Sequence, residues 1–258
     1  MLANHRRIAS GISLAMTLAL GAIANAAIQF DQDVTGGVIF GSGNFNGGFT
    51  VDRDGVAGLE LGLRAHTRFP SSDGTAAGIM SHGNGVYGNF ATQGFFSNGS
   101  PGGPRASWSF DFSINSNYDG TRGNLSGLTY LLNIDYDPSA GTSFLSINPL
   151  TAIADNAYGT NSGLVAVGDS GTSAGLAATT NLAQNSEQLN FFAGVPPFNP
   201  NVSGIYDISL QAFQNGELVG HTEIQVDVGP MPEPASLTIW GLGALGCAIG
   251  AYRRRKSA

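Results

Sequence analysis

The chain has 258 residues, a formal net charge of −7, 38 glycines, one cysteine and only 11% charged residues. Between residues 27 and 230 there are five Arg and no Lys against 17 Asp and Glu, and five less 17 leaves −12. Such a surface repels phosphate backbones and excludes nucleic acid as a partner class. The one cysteine, Cys247, falls outside that portion, which excludes disulfides, Cys-ligated zinc, iron–sulfur clusters and Cys nucleophiles from it.

At the start, His5-Arg6-Arg7 precedes an apolar run from Ile8 to Ile23, followed by Ala24-Asn25-Ala26. A basic region, an apolar region and a small-x-small site predict a secretory signal peptide over 1–26, cut between Ala26 and Ala27. Residues 27–230 are then expected to form one exported domain, long enough for one sizeable core.

Within it the composition predicts short strands separated by turns rather than helices. Gly36–Phe40 and Gly48–Val51 are two brief candidate strands. In Leu59–Arg68, Leu59, Leu61, Leu63 and Ala65 alternate with Glu60, Arg64, His66 and Arg68, the period of a strand with one face in a core and the other in water. Pro70 to Gly103 is a long polar excursion with at most a short strand near Val86-Tyr87, and it is the natural place for a binding loop. Arg105–Ile114 is the strongest strand, with Trp108, Phe110, Phe112 and Ile114 inward and Ser107, Ser109, Asp111 and Ser113 outward. Leu128–Tyr136 and Phe144–Ile147 follow, whereas Ala154 to Asn185 has no clear period and reads as a loop region. Order is expected again at Gln188–Phe192. Finally Ile205–Phe213 and Leu218–Val228 flank Asn215-Gly216, a pair suited to a type I′ hairpin turn. Many half-buried strands with no crossover helix predict an all-β fold: an antiparallel two-sheet sandwich or jelly roll.

Several motifs bear on chemistry. Asn115, Asn117 and Asp119, followed by Gly120, alternate like the oxygen ligands of a calcium loop. The twelfth position is Ser126 rather than a bidentate Glu, and ordinary Asx turns explain the same residues. Asp52/Asp54 and Asp135/Asp137 are further carboxylate pairs, so structural calcium is the single cofactor to consider. Gly168-Asp169-Ser170-Gly171 matches part of a serine-protease nucleophile context, but His66 and His82 lack the surroundings of a catalytic histidine, and a Gly-Ser turn is the plainer reading. Glu60, Glu187, Glu217 and Glu223 read as solvent-face or loop residues, leaving no evident carboxylate pair for glycoside hydrolysis.

The C-terminal 231–258 segment has three parts. Pro232, Glu233 and Pro234 form a stiff extended tripeptide that a helix cannot traverse. Ala235 to Tyr252 carries no charge, and about 18 residues at 1.5 Å each reach about 27 Å, enough for one membrane-spanning helix. Arg253, Arg254, Arg255 and Lys256 then hold the end on the cytoplasmic side and stop transfer. A plain single-span anchor is the alternative to a processed tail.

In this order the three parts resemble the PEP-CTERM sorting signal of Gram-negative bacteria, with Met231 where that family often has Val. Leu59–Arg64, Trp108–Phe112 and Asn124–Tyr130 also look like exported domains of such proteins. The resemblance implies recognition by exosortase, a membrane-embedded transpeptidase-like protease, in organisms that make exopolysaccharide. Exosortase, the membrane and an exopolysaccharide are the partners it implies, at the cell envelope, cell surface or extracellular matrix. It implies an address and no activity, so a non-enzymatic structural or adhesive protein is expected. A carbohydrate-binding module, with Tyr87, Phe95 and Phe96 lining a groove, and a secreted hydrolase are the alternatives.

Overall fold

The computed structural model describes residues 27–41, 44–54, 58–67, 78, 81–90, 106, 108–139, 141–169, 171–192 and 202–229. Ala24, Ala26, the Pro232-Glu233-Pro234 tripeptide, the expected spanning segment, Arg253 to Lys256, and Arg68, Phe95, Phe96 and Ser170 lie outside them. Among the described residues no helix is long and apolar enough to cross a membrane.

Among the described residues twelve strands carry the fold. They are β1 Gln29–Gln32, β2 Phe49–Asp54, β3 Leu59–Thr67, β4 Val86–Phe90, β5 Trp108–Asn115 and β6 Thr129–Asp135. The second half supplies β7 Phe144–Ile147, β8 Ala157–Thr160, β9 Gly163–Val167, β10 Leu182–Glu187, β11 Gly204–Gln214 and β12 Glu217–Val228. Two short helices, α1 Pro149–Ala152 and α2 Ser173–Ala177, and 3₁₀ turns at Leu125–Gly127 and Leu189–Phe191 join them. One sheet has seven strands in the order β1-β2-β3-β5-β10-β8-β9 and the other five, β4-β12-β11-β6-β7. All pairs are antiparallel except β4 with β12, which is parallel and departs from the expected all-antiparallel arrangement.

Period-two alternation places the core where the sequence predicts it. Leu61, Leu63 and Ala65 stand opposite Ile114, Phe112 and Phe110 across the β3–β5 ladder. Tyr130, Leu132 and Ile134 of β6, Tyr206, Ile208 and Leu210 of β11, and Ile224 and Val226 of β12 join them in one buried cluster. Each large apolar side chain so buried contributes roughly 1.5–3 kcal/mol. Trp108 lies at the centre, its ring 6.1 Å from Phe90 and 5.7 Å from Tyr206. The Asn215-Gly216 turn has φ of 53° and 87° at its two residues, as a type I′ hairpin requires, and joins Gln214 directly to Glu217.

The two sheets are laced together along β2 and β12. The Thr222 hydroxyl donates to Thr50 O at 3.1 Å and the His221 N–H to Asp52 Oδ2 at 2.8 Å. Gly220 permits this approach, because a Cβ there would lie 2.6 Å from Leu59 Cδ2.

The other face of the seven-stranded sheet differs from the half-solvated face that the alternation predicts. Glu60, Arg64, Asp111, Ser109 and Ser113 are all buried. The described residues between Asp33 and Gly47 cross this face as a strap, so the middle of the sheet, at β3, β5 and β10, is covered on both sides. Glu60 accepts from the Thr35 N–H at 2.7 Å and the Thr35 hydroxyl at 2.8 Å, while Gln184 accepts from the Ile39 N–H at 2.8 Å and donates to Gly37 O at 2.9 Å. A small apolar cluster of Val34, Phe49 and Val51, with Val38 against it, fills the space beneath. Gly36–Phe40 is therefore strap rather than strand: Gly36 and Gly37 have φ of 87° and 74°, and side chains instead of a neighbouring strand satisfy the backbone beyond them.

The region from Ala154 to Asn185, expected as loop, contains β8, β9, α2 and most of β10. Its residues are small and polar because both faces of β10 meet other parts of the chain, which removes the alternation that signals a strand. At Gln188–Phe192 the chain makes a 3₁₀ turn, one step beyond the strand that supplies the order expected there.

Gly62 lies on the strap-facing side of β3, where a Cβ would meet Val34 Cγ1 at 3.0 Å and Phe49 Cδ1 at 3.3 Å. Replacing it with Val is expected to lift the strap and cost about 1–3 kcal/mol in chemical unfolding. Hydrogen exchange should then quicken at Ile39 while the Asn215-Gly216 hairpin keeps its protection.

Candidate functional site

A cleft of about 990 Å³ opens where the strap, β10 and β9 come together. β8 accompanies β10 only as far as the Ala157–Gln184 pair, while β5 continues to Glu187. The second half of β10, Asn185 to Glu187, therefore forms the floor without β8 beside it. His66 and Thr67 at the end of β3 border the floor, and Ala152 to Asp155 close one side. The opposing walls are apolar: Ile39 and Phe40 of the strap, Leu164 and Val167 of β9, and Phe191 and Phe192 after β10. Leu164, Val167 and Phe191 are exposed.

The polar floor is pre-set. Asn185 Nδ2 donates to Asp155 Oδ1 at 3.1 Å and to Asn156 Oδ1 at 3.3 Å, and its own oxygen accepts from the Ser186 N–H at 2.7 Å. His66 Nε2 lies 2.9 Å from Asp111 Oδ1 and 3.2 Å from Ser186 Oγ, with Nδ1 3.2 Å from Thr67 O. Below them Arg64 Nε donates to Asp111 Oδ2 at 2.6 Å. The same guanidinium bonds Phe45 O and Gly47 O through Nη1 and lies 4.2 Å from the Phe49 ring centroid. Burial works to raise the Asp111 carboxyl, but the His66 hydrogen bond and the charges of His66 and Arg64 outweigh it and hold it below the usual carboxylate range.

Ser186, His66 and Asp111 are the three residue types of a hydrolytic triad, yet they are wired differently. A relay needs the acid on one ring nitrogen and the serine on the other, whereas here both approach Nε2. Asp111 is also already paired with Arg64, which weakens its hold on an imidazolium. The arrangement anchors a histidine at the cleft edge.

Other sequence-predicted residues are placed as follows. Asn115, Asn117 and Asp119 come together in one turn. Asn115 Oδ1 accepts from the Asn117 N–H at 3.1 Å and Asn181 Nδ2 at 2.8 Å, Asn117 Oδ1 from the Arg122 N–H at 2.6 Å, and Asp119 Oδ1 from the Thr121 hydroxyl at 2.6 Å. The Thr121 hydroxyl and N–H hold the Asp119 carboxyl below its usual range. Among the described residues no group of three or more His, Cys, Asp or Glu side chains is placed to hold a metal ion. Asp169 Oδ1 accepts from the Gly171 and Thr172 N–H groups at 2.8 and 2.9 Å, an Asx turn ahead of α2.

Two expectations are corrected. Tyr87 does not line an open groove: it is 1% exposed, its hydroxyl donates to Gly48 O at 2.6 Å, and burial pushes that hydroxyl up to about 12. Glu60 and Glu187, read as solvent-facing, are 0% and 5% exposed. The strap covers Glu60, and Arg53 Nε pairs with it at 2.6 Å. The cleft residues Asp155, Leu164, Val167 and Asn185 were not singled out in sequence, because they fall in the stretch expected as loop, and Ser186 follows directly after it. The uncharged, β-branched run Gly163-Leu-Val-Ala-Val167 was the available signal for a strand there.

Comparison with protein-family models finds no match, and none is found among curated proteins or solved structures.

Removing the Arg64 guanidinium, as in Arg64→Met, leaves Asp111 buried with half its pairing and is expected to cost about 3–5 kcal/mol in chemical unfolding. The pH dependence follows from a folded carboxyl lying below its ordinary 3.8. Its stabilising contribution is complete above that value and is lost as the pH falls through the lower folded value. Asp111→Asn should therefore be less stable at neutral pH and lose stability less steeply on acidification than the parent chain.

Proposed function

We propose that the chain is an exported cell-envelope or extracellular-matrix protein, sorted by exosortase, with a structural or adhesive rather than enzymatic role. The observation that carries this reading is the order Pro232-Glu233-Pro234, 18 uncharged residues from Ala235 to Tyr252, then Arg253-Arg-Arg-Lys256. On this reading the exported part is an antiparallel sandwich or jelly roll, and a single spanning helix follows it. A β-rich domain of two sheets is compatible with a role outside the cell, where its −12 charge keeps it soluble. The non-enzymatic side is supported by the His66 wiring, in which serine and acid compete for one ring nitrogen. It is also supported by Glu60, whose carboxylate is committed to Thr35 and Arg53.

The test is mass spectrometry of the C-terminus of protein extracted from the cell surface of an exosortase-bearing host, for the parent chain and for Glu233→Ala. The expected result is loss of the segment after the tripeptide in the parent and an uncut tail in the variant. An intact Lys256-Ser257-Ala258 end in both would reduce the tail to a plain anchor.

A further inference from the structure

We infer that the cleft bordered by the strap, β10 and β9 is a saccharide-binding site that takes an uncharged polysaccharide segment. This names the partner class for the adhesive role proposed above and rests on that reading for its location outside the cell, though the binding itself does not.

A sugar ring offers a recogniser two kinds of surface: hydroxyls around its rim, and C–H groups on its faces that pack on aromatic and aliphatic side chains. The cleft provides both across a single opening. Asp155 is an exposed planar carboxylate able to accept from paired hydroxyls, and the hydrogen bond it receives from Asn185 at 3.1 Å fixes it before a ligand arrives. Phe191 on one rim and Leu164 and Val167 on the other are 41%, 53% and 61% exposed. Apolar groups kept in water on both sides of a polar floor gain by covering with a ligand that is itself part apolar. The volume, about 990 Å³, matches the upper end of ligand sites, roughly 300–1,000 Å³. The cleft is open rather than enclosed by the described residues, which suits a segment of a longer chain.

Charge narrows the class. Asp155 is an exposed carboxylate of the cleft, and the described residues that line it include no Lys or Arg. A uronate polymer would bring carboxylates against carboxylates, so the ligand is a neutral or N-acetylated sugar.

The experiment uses the full chain, purified in a detergent without a sugar headgroup. Probes are tetramers of glucose, mannose and N-acetylglucosamine, a galacturonate tetramer and an Arg-rich peptide, followed by saturation-transfer NMR and calorimetry. At least one neutral tetramer should bind, and Phe191→Ala and Asp155→Ala should each weaken it about tenfold. Both positions are exposed at the rim, so the thermal unfolding of the variants should match the parent. Phe144→Ala, an exposed aromatic on β7 of the other sheet, should leave affinity unchanged. No saturation transfer to any neutral probe at millimolar concentration would overturn the inference. So would stronger binding of the galacturonate or the peptide, or an equal loss in Phe144→Ala. Any of these results alongside a processed tail would leave the sorting proposal standing, and sugar binding by a chain with an uncut tail would do the reverse.

Discussion

A guanidinium buried against a carboxylate, Arg64 on Asp111, is the interaction on which the outer layer of this protein depends. Each group alone would be costly to remove from water, and together they are tolerable because each also bonds further partners. Asp111 also receives His66, while Arg64 reaches two backbone carbonyls of the strap and lies over Phe49. The pair therefore converts a polar sheet face into a template with fixed donors. The described residues of the strap have little regular structure of their own, and they are held in place because Glu60, Arg64 and Gln184 answer backbone groups one by one.

This third layer is also what creates the cleft. Ile39 and Phe40 form one wall only because Gln184 holds the strap at Ile39 N and Gly37 O. His66 is aligned at the border by the same Asp111 that anchors Arg64. The floor lies open because β8 leaves β10 after Gln184, a consequence of strand length rather than of any motif. The outer layer and the cleft thus share the same residues, so changes to the buried pair should disturb the cleft edge as well as the fold.

Much of the two-sheet core was legible. Leu59–Ala65 and Trp108–Ile114 alternate cleanly, since one face of each packs against the other sheet and the opposite face is polar. The final hairpin was equally clear, because Asn-Gly supplies two left-handed residues in succession. Three things were hidden. Strands β8 and β10 lack alternation, since both of their faces meet protein, and β9 lacks it because its apolar side chains stand in water. The strap looked like a strand because Val38-Ile39-Phe40 is apolar and partly β-branched, although the glycines before it turn the chain and its backbone bonds go to side chains. The cleft could not be read, because Asp155, Asn185, Leu164 and Phe191 are separated along the chain and none carries a spacing that announces shared geometry.

From its residues alone this chain determines an inner face, a terminal hairpin, an acidic and cysteine-free middle portion, and a C-terminal order of Pro-Glu-Pro, uncharged run and four basic residues. These are local properties, set by periodicity, turn stereochemistry and composition. Only the tertiary structure decided that the polar face of the larger sheet is buried rather than wet. Alternation reports that two faces differ, but not what covers the second one. That depends on long-range pairing of a buried charge with a distant strap, which no short window of sequence contains.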